Sequence, residues 1–233
     1  MNSQDTALSR PTATALPRTG GSAVHPPEVQ RVLRNTYGLL GLTLLFSAGV
    51  AAASAALGLP HPGLLVALGG MFGLLFLTAR LAHSGWGLLA VFALTGFMGY
   101  TLGPVIGRVL SFPGGAQVVT LALGATAATF FALSAFVLTT KRDFGFMGGF
   151  LFAGMVIALL AAVGAWAFEI PALALAVSAV VVLLSAGLIL FETSRIVSGG
   201  ETNYVMATVG LYVSIYNLFS ALLSLFGAGG NDE

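Results

Sequence analysis

The sequence predicts an all-α integral membrane protein of seven transmembrane helices. Three observations carry that expectation. Of 233 residues, 57% are hydrophobic and only 7% charged, with a mean hydropathy of +0.97. A soluble domain carries about 25% charged residues, and so little charge cannot coat a surface facing water. The apolar residues fall in continuous runs rather than the short alternating strands of a barrel. Crossing a hydrocarbon core of ~30 Å takes about 20 helical residues, which these runs approach or reach. The breaks between them hold the Pro, Gly and charged residues that turns at a membrane surface require.

Residues 1–30 are rich in Pro, Ser, Thr, Ala and Gly. They lack the apolar surface that would offset chain entropy and read as a disordered tail. No apolar core follows closely on an initial positive cluster, so they are not a signal peptide. The first span is 37–57. Its "AAASAA" patch resembles a cleavage site, but the long preceding tail points to an uncleaved helix. "GLPHPG" separates it from the second span, 63–79. "ARLAHSGW", with Arg80, His83 and Trp86, leads to the third, 87–102. The turn-rich "GRVLSFPGGAQ" precedes the fourth, 118–138. "TTKRDFG", carrying Lys141, Arg142 and Asp143, is the densest charge cluster outside the tail and precedes the fifth, 146–165. "FEIP" leads to the sixth, 172–191, and "SGGETN" to the seventh, 204–226. The helical domain is then 31–227, followed by a short tail, 228–233. The alternative fuses the fifth and sixth spans and leaves six. Glu169 and Pro171 favour a turn there, because Pro suits a helix start and breaks a helix interior.

With seven spans, one side receives Arg10, Arg18, Arg31, Arg34, Arg80, Lys141, Arg142 and Arg195, and the other only Arg108. The positive-inside rule puts the N-terminus in the cytoplasm and the C-terminus outside. Fusing two spans would move Arg195 across and weaken the bias. Gly69 with Gly73, and Gly99, Gly103 and Gly107 in overlapping pairs, form GxxxG spacings that let helices approach closely. Packing within the chain is the simpler reading, and a homodimer face the sharper one. Trp86 and Trp166 stand at span ends, where indoles anchor to the interface.

Several chemistries are excluded. A net charge of +1 leaves no basic field for nucleic acid. Without cysteine there are no disulfides, thiolates or Cys-based metal sites. His25, His61 and His83 lie in separate polar segments on both sides of the membrane, so they cannot converge on one metal. There is no HExxH, GxSxG, Walker or GxGxxG motif, and the spans hold no Asp for an aspartyl pair. The expectation is a protein with no catalytic residues, no cofactor and no metal centre.

Two features remain. "ETSRIVS" extends the sixth helix past the hydrocarbon edge, placing Glu192 near the boundary and Arg195 one turn on. An ionisable group at that depth costs up to a few kcal/mol unless paired, hydrated or protonated. Its candidate partners are Arg80, Lys141, Arg142 and Arg195, with Arg80 and Arg195 favoured. A structural ion pair at a helix end is one reading, and a pH-sensing latch or ion-pathway group the other. The seventh helix carries Ser214, Asn217, Ser220 and Ser224 within roughly a 120° arc, bordered by Tyr212 and Tyr216. Such a seam should face protein or water rather than lipid. It can serve interhelical hydrogen bonding or line a narrow polar pathway.

At these residues a resemblance becomes specific. "LTTKRDFGFMGGFL" and "LFETSRIVSGGETNYVMATVGLYVSIYNLFSALLSLFG" resemble the signature regions of the Bax-inhibitor-like family. "HPPEVQRVLRNTYGLLGLTLLFSAGVAAAS" and "FALTGFMGYTLGPVIG" are similar to its bacterial YccA branch, modulators of the membrane-bound FtsH protease. The match runs in order from about Val29 to Gly227. It implies a last helix surrounded by the other six, an inner-membrane location, and binding to FtsH as a slowly degraded competitor of other substrates. The flexible tail would suit a protease that engages exposed ends. Other members are linked to calcium leak controlled by two aspartates on the last two helices. The matching positions here are Glu192 and Ser214. A carboxylate and a serine cannot share a proton as two carboxylates do. The protease-modulator reading therefore leads, with a calcium or proton leak as the alternative and a chaperone or adaptor role behind it.

Overall fold

The computed structural model describes residues 26–229; residues 1–25 of the expected N-terminal tail and residues 230–233 of the expected C-terminal tail lie outside them. Seven helices long and apolar enough to cross a membrane make up the described chain: α1 (Pro26–Ala56), α2 (Leu64–Leu81), α3 (Trp86–Leu110), α4 (Gly115–Thr140), α5 (Gly148–Ala167), α6 (Pro171–Val197) and α7 (Tyr204–Gly229). A single 3-10 turn, Gly145–Met147, precedes α5. The α5–α6 break is real. Glu169 adopts a left-handed φ of 54°, and Pro171 opens α6 at a position where its missing N–H would be unpaired in any case.

Two boundaries differ most from the sequence expectation. Helix α1 begins at Pro26, inside the stretch expected as tail. The "PPEVQ" segment offers Pro at a helix start and Glu28 in the first turn, where an acid complements the helix dipole. Helix α3 continues to Leu110, through Gly103 and Pro104. A proline inside a helix leaves the carbonyl four residues earlier without its donor. That carbonyl belongs to Tyr100, and the Ser54 hydroxyl of α1 donates to it at 3.2 Å. Gly103 makes this contact possible, because a Cβ there would collide with the Ser54 side chain. Gly99 likewise presses against the backbone and hydroxyl of Ser47. The Gly99–Gly103 spacing is thus spent on packing α3 against α1. Gly69 and Gly73 of α2 meet no neighbour; it is Gly70 that receives the Phe97 ring.

Helix α7 is central. In its most apolar stretch 56% of residues are buried, against 6% for α2 and 11% for α5. The other six helices surround it in two shells. Helices α1, α3, α4 and α6 pack directly on α7, while α2 leans on α3 and α5 on α6. Leu211, Leu218 and Leu223 of α7 join Leu40, Leu94, Met98 and Ile189 in one apolar core. Phe146, Phe150, Phe152 and Trp166, in and beside α5, are exposed, as a lipid-facing surface requires.

Candidate functional site

The polar groups of this bundle gather along α7 and at its N-terminal end. The interior seam is built by hydroxyls from three helices. Ser47 of α1 and the Tyr212 hydroxyl are 2.6 Å apart, and Tyr212 donates to the Thr95 carbonyl of α3 at 3.3 Å. With the Tyr212 proton spent on Thr95, Ser47 is the donor to Tyr212. The same logic orders the next layer. Thr101 donates to the Met98 carbonyl at 2.8 Å, so the Tyr216 hydroxyl, 3.1 Å away, donates to Thr101. The two tyrosine rings stack with centroids 6.4 Å apart. Nearer the N-terminus of α7, Thr208 donates to the Tyr204 carbonyl at 2.7 Å and lies 3.4 Å from the Thr36 carbonyl of α1.

The predicted seam residues divide. Tyr212 and Ser214 are buried, whereas Tyr216, Asn217 and Ser220 are half-buried. Ser224 is exposed and faces a cavity at the far end of the helix rather than the seam. Ser214 donates to the carbonyl of Gly210 on its own helix at 2.9 Å. Other faces bury hydroxyls that have no partner among the described residues: Thr36 and Tyr37 of α1, Ser134 of α4, Ser185 and Thr193 of α6.

At the N-terminal end of α7 the charges close into a clasp. Arg195 lies 3.6 Å from the Glu192 carboxylate and 3.1 Å from that of Glu201. Its guanidinium also stands over the Phe191 ring, 5.5 Å from the centroid. Gly199, with φ of 76°, turns the chain after α6, and the Glu201 N–H donates back to the Arg195 carbonyl at 3.0 Å. The other oxygen of Glu201 accepts the Asn203 N–H at 2.9 Å. Asn203 in turn caps α7, its Oδ1 accepting from the Val205 N–H at 2.9 Å. Its amide nitrogen donates to the Ala82 carbonyl at 2.9 Å, which ties the α2–α3 turn to α7. Glu192 itself reaches α7 only because residue 210 is glycine. A Cβ at Gly210 would stand 2.7 Å from the Glu192 carboxyl carbon. Glu192 and Ser214 therefore meet around one residue, the carboxylate over Gly210 and the hydroxyl on its carbonyl.

Arg80, one of the two cations expected to hold Glu192, does not do so. It is exposed and joins no ion pair among the described residues, since α2 stands in the outer shell against α3 while Glu192 faces α7. Lys141, Arg142 and Asp143 are exposed in the α4–α5 turn. Lys141 ends α4 in a left-handed conformation with φ of 51°, and Asp143 accepts the Gly145 N–H at 2.7 Å. The Phe144 N–H donates to Ser194 at 3.2 Å, fastening this turn to α6. No three His, Asp or Glu side chains converge among the described residues. Sequence reasoning missed Gly210, Asn203 and the hydroxyls of Ser47, Thr95 and Thr101. The usable signal was a glycine in mid-helix and hydroxyls inside otherwise apolar spans.

Comparison with known proteins places this architecture. The family described as inhibitor of apoptosis-promoting Bax1 matches residues 29–231. An uncharacterized protein of Pseudomonas aeruginosa is 54% identical over 206 residues, covering 88% of this chain and 93% of the relative. The Escherichia coli protein named modulator of FtsH protease YccA is 54% identical over 205 residues, with the same coverage of both chains. Its counterpart in another Escherichia coli strain is named inner membrane protein YccA. An uncharacterized membrane protein of Vibrio cholerae is 42% identical over 207 residues, covering 88% of this chain and 93% of its own length.

Proposed function

The chain belongs to the Bax-inhibitor family, and from that premise we propose that it is a multi-pass inner-membrane protein that binds and restrains the FtsH protease. The observation that carries this reading is the likeness to a named FtsH modulator along nearly the whole of that relative. The fold suits the role. A protease that extracts membrane proteins must first unseat a helix. Here the central helix is held by hydroxyl bonds to α1 and α3 and by the Arg195 clasp at its entrance. Such a bundle resists extraction and occupies the protease in place of other substrates. Residues 1–25, which precede α1, are the segment we assign to first contact.

We also infer that the Arg195 end is cytoplasmic, on the strength of the Lys/Arg partition. A reporter active only in the periplasm, fused after Glu233, should then be active. The calcium or proton leak has less support. In this structure Tyr212, Tyr216 and Ser214 have their hydroxyls committed to neighbours instead of lining an open path.

The test is reconstitution of FtsH with a membrane substrate in liposomes, with and without the full chain. Slower loss of the substrate, and co-purification with a proteolytically inactive FtsH, are expected. Unchanged substrate turnover would overturn the reading. Acid-modulated calcium flux through the protein alone would move the leak ahead of it. Removing residues 1–25 should leave thermal unfolding unchanged and weaken the restraint.

A further inference from the structure

The opposite end of the bundle holds a feature that neither the clasp nor the seam explains. A cavity of about 540 Å³ opens between the last turns of α3 and α7 and the start of α4. Its wall is largely apolar, with Val105, Val109, Phe112 and Leu223 among the lining residues. Three polar side chains enter it: Arg108, His61 from the α1–α2 loop, and Ser224. Arg108 is exposed and joins no ion pair among the described residues. Nor is it needed to satisfy its own helix end, because Ser111 donates its N–H to the Gly107 and Arg108 carbonyls and its hydroxyl to Arg108. His61 accepts the Gly63 N–H on Nδ1 at 3.1 Å. The neutral ring therefore carries its proton on Nε2 as a second donor.

We propose that this cavity binds the phosphate headgroup of an anionic phospholipid. Guanidinium is the side chain best matched to phosphate, forming paired charge-assisted bonds. An apolar pocket of a few hundred Å³ with a small number of convergent polar groups is the usual form of a ligand site. The site lies at the C-terminal ends of α3 and α7, and helices of 25 and 26 residues are long enough to bring their ends to the headgroups. Val105, Leu110 and Phe112 are 40–48% exposed beside it and offer a path for the first methylenes of an acyl chain. A net-anionic phosphodiester joined to an acyl chain uses both halves of this chemistry, whereas a zwitterionic headgroup would bring its own cation against Arg108 and a free anion uses only the polar half.

The experiment compares thermal unfolding of the full chain in mild detergent with added phosphatidylglycerol, phosphatidylcholine or inorganic phosphate. Phosphatidylglycerol at a large excess over its dissociation constant should raise Tm by about 5 °C. The other two should leave it unchanged. Arg108→Gln should abolish the shift, Arg108→Lys should keep part of it, and His61→Gln should reduce it. Arg108 and His61 are both exposed, so these substitutions leave the core untouched. An equal shift from phosphatidylcholine, or one that survives Arg108→Gln, would overturn the proposal. An equal shift from inorganic phosphate would make this a free-anion site and overturn the lipid assignment. Enhanced phosphatidylglycerol binding only after Asp232→Asn and Glu233→Gln would assign the cavity to the chain's own acidic end instead. The outcome is independent of FtsH, so it neither rests on that reading nor fails with it.

Discussion

At the Arg195 end of the bundle, charged and polar side chains close on one another. Glu192, Arg195, Glu201 and Asn203 form a chain that ends on the Ala82 carbonyl and joins α6, α7 and the α2–α3 turn. At the Arg108 end the cation stands at an open cavity, and Ser224 of the same α7 is exposed. The same helices thus end in a closed face and an open one. The difference shows how a chain with few charges distributes them. The closed end spends its charge on holding the central helix, and the open end keeps its charge available.

The largest effect should follow from opening the closed end. Arg195→Gln leaves Glu192 and Glu201 facing each other without their cation. A fully buried pair broken this way costs about 3–5 kcal/mol; Arg195 is partly exposed, so about 2–3 kcal/mol is expected. Thermal unfolding in detergent should show it as a Tm lower by roughly 5–10 °C. A loss below about 0.5 kcal/mol would mean that the clasp does not hold α7.

Next comes the α1–α3 contact at Pro104. Ser54→Ala removes the donor to the Tyr100 carbonyl and should cost about 1 kcal/mol. In a Pro104→Ala background the restored N–H can bond that carbonyl within α3, so the same substitution should become nearly neutral. A double-mutant cycle in which the cost persists would show that Ser54 does not serve that carbonyl.

Glu192→Gln should be milder than Arg195→Gln, at less than about 1 kcal/mol, because Glu201 still holds the guanidinium. Ser214→Ala should fall at or below the ~0.6 kcal/mol typical of a membrane hydroxyl, since its bond is to its own helix. If Glu192→Gln matched Arg195→Gln in unfolding scans, the clasp would depend on the inner acid alone.

The smallest effect belongs to the open end. Arg108→Gln in detergent without added lipid should change stability by less than about 0.5 kcal/mol. A larger loss would show that Arg108 holds the bundle together, and the contrast between the ends would vanish.

Much of this fold was legible in the residues. Long apolar runs have one solution in lipid, so span number followed from their length and from the Pro171 break, and the α7 stripe of hydroxyls could not face hydrocarbon, which put α7 inside. Pairings across helices were harder to read. Arg80 and Arg195 are equivalent as charges at span ends, and only the α2–α3 packing takes Arg80 away from Glu192. Glu201 looked like part of a polar turn until Gly199 folded it back on Arg195. The path of α3 through Pro104 was invisible locally, because its remedy sits fifty residues away, on Ser54. Gly210 carried no periodic signal; its meaning lies in what another helix places above it.

The position of α7 has a consequence for how the protein is made. This helix follows the other six in the chain, so it leaves the ribosome after the four that cradle it. The hydroxyls that its tyrosines meet, on Ser47 and Thr101, and the Thr95 carbonyl belong to helices made before it. A nascent chain stalled before Tyr204 lacks α7, so the groove they line is open and Glu192 has no Gly210 to pack against. An incomplete copy thus exposes polar groups that the full chain covers, and a pulse-chase of chains truncated before α7 should show them cleared faster than the full chain.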